Sequence, residues 1–135
     1  MNANSINNLL EVKYISPKKG KGVLAKKNIK KGTIVEIAHI LLISNEDYDL
    51  IQNSILYNYI YEWDDPNNPK YQNAIALSIC QFFNHSYNPN VEYQYNYKNT
   101  TIKFIAIKDI SKGEELTINY NGNVNDKSPV WFEVE

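Results

Sequence analysis

The chain has 135 residues, 43% of them apolar and 21% charged, and 14 basic against 15 acidic residues leave a formal charge of −1. That is one ordinary domain able to bury a core, which excludes a disordered tail and a coiled coil. The balanced charge argues against a dedicated nucleic-acid binder. All 14 cations are lysine, which removes bidentate arginine recognition of phosphate or guanine.

A single cysteine, Cys80, excludes an internal disulfide and any Cys-rich zinc cluster. Set in Ser78-Ile79-Cys80-Gln81-Phe82, it reads as a small core residue rather than a nucleophile. No apolar run approaches the roughly 18 residues of a membrane span. Met1 to Leu10 carries no lysine and does not read as a secretory signal, so the expectation is a soluble intracellular protein without membrane contact. Eleven tyrosines accompany abundant Asn, Ile and Lys, so tyrosine content alone says nothing about catalysis.

In chain order, residues 1–10 are polar and expected to fray. Glu11 to Ser16 alternates loosely as a first strand, Pro17 to Gly22 is a Gly- and Lys-rich turn, and Val23 to Ala25 is a short strand. Asn28 to Gly32 turns the chain again. Thr33 to Ile43 is β-branched and apolar and predicts a strand bent or split at Ala38-His39. Ser44 followed by Asn45-Glu46-Asp47 starts a short helix ending near Ile51. Ser54 to Trp63 reads as an aromatic strand, Asp64 to Pro69 as a loop, and Ala74 to Phe83 as a short helix. Val91 to Tyr97, a turn at Lys98-Asn99-Thr100 and Thr101 to Lys108 form a hairpin. Glu115 to Ile118 is a last strand, here read with exposed acids, before a polar tail. The sum is an antiparallel-rich, mostly β fold with short helices and no βαβ rhythm.

Ala25-Lys26-Lys27-Asn28-Ile29-Lys30-Lys31-Gly32 echoes Ala106-Ile107-Lys108-Asp109-Ile110-Ser111-Lys112-Gly113. Each copy predicts a strand, a glycine corner and an Ile folded inward. It reads either as two copies of one supersecondary unit or as coincidence in a lysine-rich chain.

Phe82-Phe83-Asn84-His85-Ser86-Tyr87-Asn88-Pro89-Asn90 sets polar groups directly after two buried aromatics, where they must be hydrogen-bonded or bind something. Alone, it is an Asn/Ser turn. His85 has only His39 as a possible partner, and no metal-ligand spacing is present. Gly113-Glu114-Glu115-Leu116-Thr117-Ile118-Asn119-Tyr120 delivers a tyrosine at a strand end. Gly20-Lys21-Gly22 is neither a Walker loop nor a dinucleotide fingerprint.

Taken together and in this order, Gly-x-Gly-Val-Leu-Ala, Phe-Asn-His-Ser with Asn-Pro-Asn, and Gly-Glu-Glu-Leu-Thr-Ile-Asn-Tyr resemble the SET domain family of protein-lysine methyltransferases. The resemblance covers residues 12–135 and implies a β-clip-type fold of small antiparallel sheets with a C-terminal pseudoknot. The implied layout is a frayed segment at 1–10, a SET domain at 11–122 and a C-terminal segment at 123–135 that closes the cofactor site. It implies S-adenosylmethionine as methyl donor and S-adenosylhomocysteine as product. The donor would be held by Lys19, Gly20, Lys21 and Gly22 at its methionine end, by Asn84, and by the His85 backbone at adenine. Trp131 would stack on adenine and Glu135 would lie near it.

Tyr120 matches the tyrosine aimed at the transferring methyl, and Tyr59 the lysine-channel tyrosine, with Tyr57 and Tyr61 as competitors. The single cysteine leaves no post-SET zinc site, Ile118 stands where relatives carry an aromatic, and Lys21 where some small members do. Implied partners are a protein lysine, in a histone tail or elsewhere, and a second copy of the chain docked through the 91–104 hairpin. No nucleic acid or metal is implied. The other readings are a SET-like module that binds a peptide without turnover, and an aromatic β module whose Tyr93, Tyr95 and Tyr97 stripe binds a glycan or peptide.

Overall fold

A computed structural model describes residues 8–132 and Val134. Its strands are β1 (Leu10–Ser16), β2 (Gly20–Ala25), β3 (Ile34–Ser44), β4 (Ile60–Glu62), β5 (Tyr71–Ala76), β6 (Asn84–His85), β7 (Val91–Asn96), β8 (Thr101–Ala106) and β9 (Glu115–Ile118), with one helix, α1 (Asn45–Ile51). They form a four-stranded sheet in the order β1-β2-β9-β6 and a five-stranded sheet in the order β4-β5-β3-β8-β7. All pairings are antiparallel except β6 with β9, which run parallel with Asn84 opposite Thr117 and His85 opposite Ile118.

The first hairpin is longer than expected, because Gly20-Lys21-Gly22 belongs to β2 and only Pro17 to Lys19 turns. Leu10 is buried in the core and the Leu9 carbonyl oxygen accepts from the Lys26 amide at 2.7 Å, so these two residues are tied down. The rest of the predicted fray, residues 1–7, lies outside the described residues. The break expected at Ala38-His39 is a change of partner within one continuous strand. Ile34 to His39 pairs with β8 and Ile40 to Ser44 with β5. Helix α1 starts as predicted, with the Ser44 hydroxyl accepting from the Asp47 amide.

Two segments differ from the sequence reading. In place of a strand over 54–63, Ile55–Tyr59 is a 3-10 turn started by the Ser54 hydroxyl, which accepts from the Leu56 amide at 3.2 Å. Only Ile60–Glu62 finds a free edge, on β5. In place of a helix over 74–83, β5 ends at Ala76 and a 3-10 turn follows at Ile79–Phe82, started by Ser78. Pairing on both edges of β5 outweighs the helical preference of its alanines. Ala74 and Ala76, both buried, let the sheet close on the core.

The internal echo is a local two-fold. Ile29 and Ile110, both buried, exchange backbone bonds of 2.8 Å in each direction. The Gly32 amide donates to the Ala106 carbonyl oxygen at 2.7 Å, and the Gly113 amide to that of Ala25 at 2.8 Å. The Lys31 amide donates to Asp109 Oδ1, and the Lys112 amide to Asn28 Oδ1. Gly32 and Gly113 share φ near +90°, a conformation costly for any other residue. The two copies thus clip the sheets together at equivalent corners.

The tyrosine stripe of β7 is not a free surface. Trp63, 1% exposed, meets the rings of Tyr95 and Tyr97 edge-on at 5.5 and 5.0 Å, and Tyr61 meets Tyr93 at 5.6 Å. The stripe is thus half-buried against aromatics of the same chain. After β9 the tail folds back, with Asn119 Nδ2 donating to the Asp126 carbonyl oxygen, and Tyr87 Oη and Asn121 Nδ2 both donating to that of Ser128.

Candidate active site

The parallel contact of β6 with β9 brings the Asn-His-Ser segment against the strand that ends at Tyr120. Two cavities of about 630 Å³ each meet there. The inner cleft is lined by the β1–β2 turn (Lys18, Lys19, Gly20, Lys21), by Phe82, Asn84 and His85, and by Phe132 and Val134. The outer cavity is walled by Tyr48, Tyr57, Tyr61, Tyr93 and Tyr95, with Glu62, Asp64 and Asp126 among its lining. Asn58, Tyr59, Gln81, Tyr120 and Trp131 line both.

Of the predicted site residues, Lys19, Gly20, Lys21, Asn84, His85, Tyr120, Tyr59 and Trp131 converge on this junction. Gly22 sits behind it, and Glu135 lies outside the described residues. The competing tyrosines separate. Tyr57 lies on the outer side and meets the Trp131 ring edge-on. Tyr61 is fixed through its hydroxyl, which donates to the Cys80 carbonyl oxygen at 3.3 Å, and burial pushes its pKa well up. Cys80 itself is buried, and desolvation pushes its thiol up to about 12, which leaves no nucleophilic thiolate.

Tyr120 is held at both ends. Its amide donates to His85 Nδ1 at 3.0 Å and its hydroxyl donates to the Phe83 carbonyl oxygen at 2.7 Å. Burial, with the nearby charge of Glu115 second, pushes its pKa up to about 12, so the group is a phenol at neutral pH. His85 accepts at Nδ1 and therefore carries its proton on Nε2. Only 4% exposed, it is kept neutral by burial, which lowers its pKa. Its Nε2 is buried with no protein partner among the described residues. Trp131, 59% exposed, lies on the Tyr120 ring at 5.7 Å and 20°.

Sequence reasoning missed Glu115, which it read as an exposed acid. Its side chain is 17% exposed. Oε1 accepts from Lys19 Nζ at 2.8 Å and Oε2 from Asn84 Nδ2 at 2.7 Å. A Cβ on Gly22 would stand 2.6 Å from Glu115 Oε2 and 2.8 Å from Asn84 Nδ2, so glycine there is a matter of space. The available signal was the period of β9. Leu116 and Ile118 face the core, which turns Glu115 and Thr117 to the opposite face of the sheet, the face that also carries the Asn84 side chain.

The cleft pairs a cation and amide pole with an aromatic wall, the donor set for a zwitterion joined to an aromatic base. Among the described residues no three metal-ligating side chains cluster.

Comparison with known proteins agrees with this geometry. The pattern of the SET domain matches residues 20–121. The chain is 32% identical over 119 residues to the histone-lysine N-methyltransferase, H3 lysine-37 specific, of Schizosaccharomyces pombe, covering 87% of this chain and 74% of that one. It is 25% identical over 143 residues to the histone-lysine N-methyltransferase SETD7 of Halocynthia roretzi, covering 91% of this chain and 37% of the relative. The crystal structure of PFL0690c, a Plasmodium falciparum protein assigned as a histone methyltransferase, superposes with a TM-score of 0.62 at 29% identity, over 85% of this chain and 95% of that one.

Proposed function

The chain belongs to the SET domain family and is a protein-lysine methyltransferase, and from that premise we propose that its methyl donor is S-adenosylmethionine, held in the inner cleft, and that its substrate is a histone. The observation that carries the reading is the junction at Tyr120, where the polar cleft and the tyrosine-walled cavity share lining residues.

When bound, S-adenosylmethionine supplies an electrophilic sulfonium methyl. This chain's residues bind, orient and dehydrate around it. Both hydrogens of the Asn84 amide are spent, on the Lys21 carbonyl oxygen at 3.1 Å and on Glu115. Oδ1 is left to accept from the donor's ammonium group. Lys19, which spends one N–H on Glu115, has others for the carboxylate. Gly20, with open space beside it, allows close backbone approach. Trp131 and Phe132, both exposed aromatics of the tail, supply the wall for adenine.

The substrate lysine reaches the junction through the outer cavity. Neutralising a free lysine, whose pKa is roughly 10.4, costs about 4–5 kcal/mol at pH 7. Among the described residues, the lining shared by the two cavities holds no histidine or carboxylate to take that proton, and His85, in the inner cleft, has its Nδ1 engaged by the Tyr120 amide. Burial in a wall of phenols disfavours the ammonium form instead. Tyr120, its own hydrogen spent on Phe83, offers oxygen lone pairs to orient the incoming amine. The acids at the outer side, Glu62, Asp64 and Asp126, favour a cationic protein segment, which supports a histone as the protein.

The test is incubation with methyl-labelled S-adenosylmethionine and either purified core histones or an acidic protein of similar size. Label on histone lysine Nζ is expected; label on neither protein, or only on the acidic one, would contradict the substrate assignment.

A further inference from the structure

Glu115 does not line the cleft, yet both of its carboxylate oxygens are spent on side chains that do. Oε1 holds the Lys19 ammonium, 96 residues away in sequence, and Oε2 holds the Asn84 amide. This carboxylate, on β9, ties the β1–β2 turn, through Lys19, to β6, through Asn84. The ion pair is largely shielded, with the Lys19 and Glu115 side chains 23% and 17% exposed. The empty volume that Gly22 leaves is filled by the carboxylate and the amide together.

The consequence is directional. An amide can be turned end for end at little steric cost, and its neighbours decide which pole faces the ligand. Here both neighbours, the Lys21 carbonyl and the Glu115 carboxylate, are acceptors, so the NH2 end is committed to them and Oδ1 is the pole left for a ligand in the cleft that Asn84 lines. A neutral side chain at 115 would offer one acceptor oxygen to two donors. Either Asn84 or Lys19 would then lose its anchor.

We infer that Glu115 is a positioning residue for the amino-acid end of the methyl donor, fixing the polarity of Asn84 and the place of the Lys19 ammonium. This rests on the proposed cofactor assignment of the inner cleft. It gives the donor's ammonium and carboxylate separate, pre-set partners before binding, which reduces the ordering cost on association.

The test compares two ligands by titration calorimetry: S-adenosylhomocysteine, and 5′-methylthioadenosine, which keeps the nucleoside but lacks the amino-acid end. The wild-type protein is expected to bind both. Glu115→Gln is expected to weaken S-adenosylhomocysteine at least tenfold while leaving 5′-methylthioadenosine unchanged. Lys19→Met removes the same pair from its other side and is expected to show the same selective loss, with Lys19→Arg restoring most of it. Equal weakening of both ligands would make Glu115 merely structural and overturn the inference, as would undiminished binding in both variants. A wild-type protein that binds neither ligand would overturn the cofactor assignment itself.

Discussion

The Tyr120 hydroxyl donates to the Phe83 carbonyl oxygen at 2.7 Å, across the seam where the two cavities meet. This bond sets which part of the phenol faces the reacting groups. The oxygen is presented as an acceptor, and burial keeps it protonated by pushing its pKa up to about 12. Tyr120→Phe removes that acceptor without removing the ring that packs on His85 and Trp131. Methyl transfer under single-turnover conditions is expected to fall about 100-fold, with affinity for S-adenosylhomocysteine little changed. Turnover near that of the wild type would take Tyr120 out of the chemistry.

His85 gives the fold an acid-side sensitivity. Burial lowers its pKa below the usual histidine value of about 6.5. The unfolded chain therefore binds a proton more readily than the folded one. The penalty is absent above pH ~6.5 and grows as pH falls from there toward the lowered folded value. Protonation would also take Nδ1 from the Tyr120 amide. His85→Asn keeps an acceptor near the Nδ1 position but does not titrate. Thermal denaturation from pH 7 down to pH 5 should show the wild type losing stability faster than this variant; parallel curves would contradict it.

Two glycines separate fold from site. Gly113 has φ +89° with open space around a built Cβ, so Gly113→Ala strains only the backbone. That is worth about 1–2 kcal/mol, with ligand affinity unaffected. Gly22→Ala drives a methyl to 2.6 Å from Glu115 Oε2 and from Ile15 Cγ1. It is expected to weaken S-adenosylhomocysteine at least tenfold as well as lower the melting temperature. Calorimetry on the two purified variants checks the contrast.

The acids of the outer cavity should act on substrate capture. Glu62 and Asp64 are exposed, so each contributes about 0.5–1 kcal/mol. Glu62→Gln/Asp64→Asn should raise KM for a lysine-rich peptide roughly 5- to 30-fold with kcat retained, and the difference should shrink with added salt. A salt-independent loss of kcat would point to a different role.

Much of this was legible in the chain. The motifs that meet at Tyr120 and Asn84 are local in sequence, and the echo of 25–32 in 106–113 reported the clip that aligns the sheets. What local pattern could not show was pairing. Ile55–Tyr59 looked like strand but had no edge to join, and Ala74-Ile75-Ala76 looked helical until β3 and β4 took both its edges. The Lys19–Glu115 pair was hidden for the same reason, since no spacing rule connects residues so far apart. The tyrosines of β7 looked like a free face because their partners, Tyr61 and Trp63, come from β4 and its end, about 30 residues away in sequence.

The most direct measurement is a crystal structure of the chain with S-adenosylhomocysteine. The ligand is expected in the inner cleft, its ammonium group within hydrogen-bond reach of Asn84 Oδ1, its carboxylate at Lys19 and its sulfur facing the Tyr120 hydroxyl. Ligand density elsewhere on the surface, or in the cleft with its amino-acid end turned away from Asn84, would contradict the assignment.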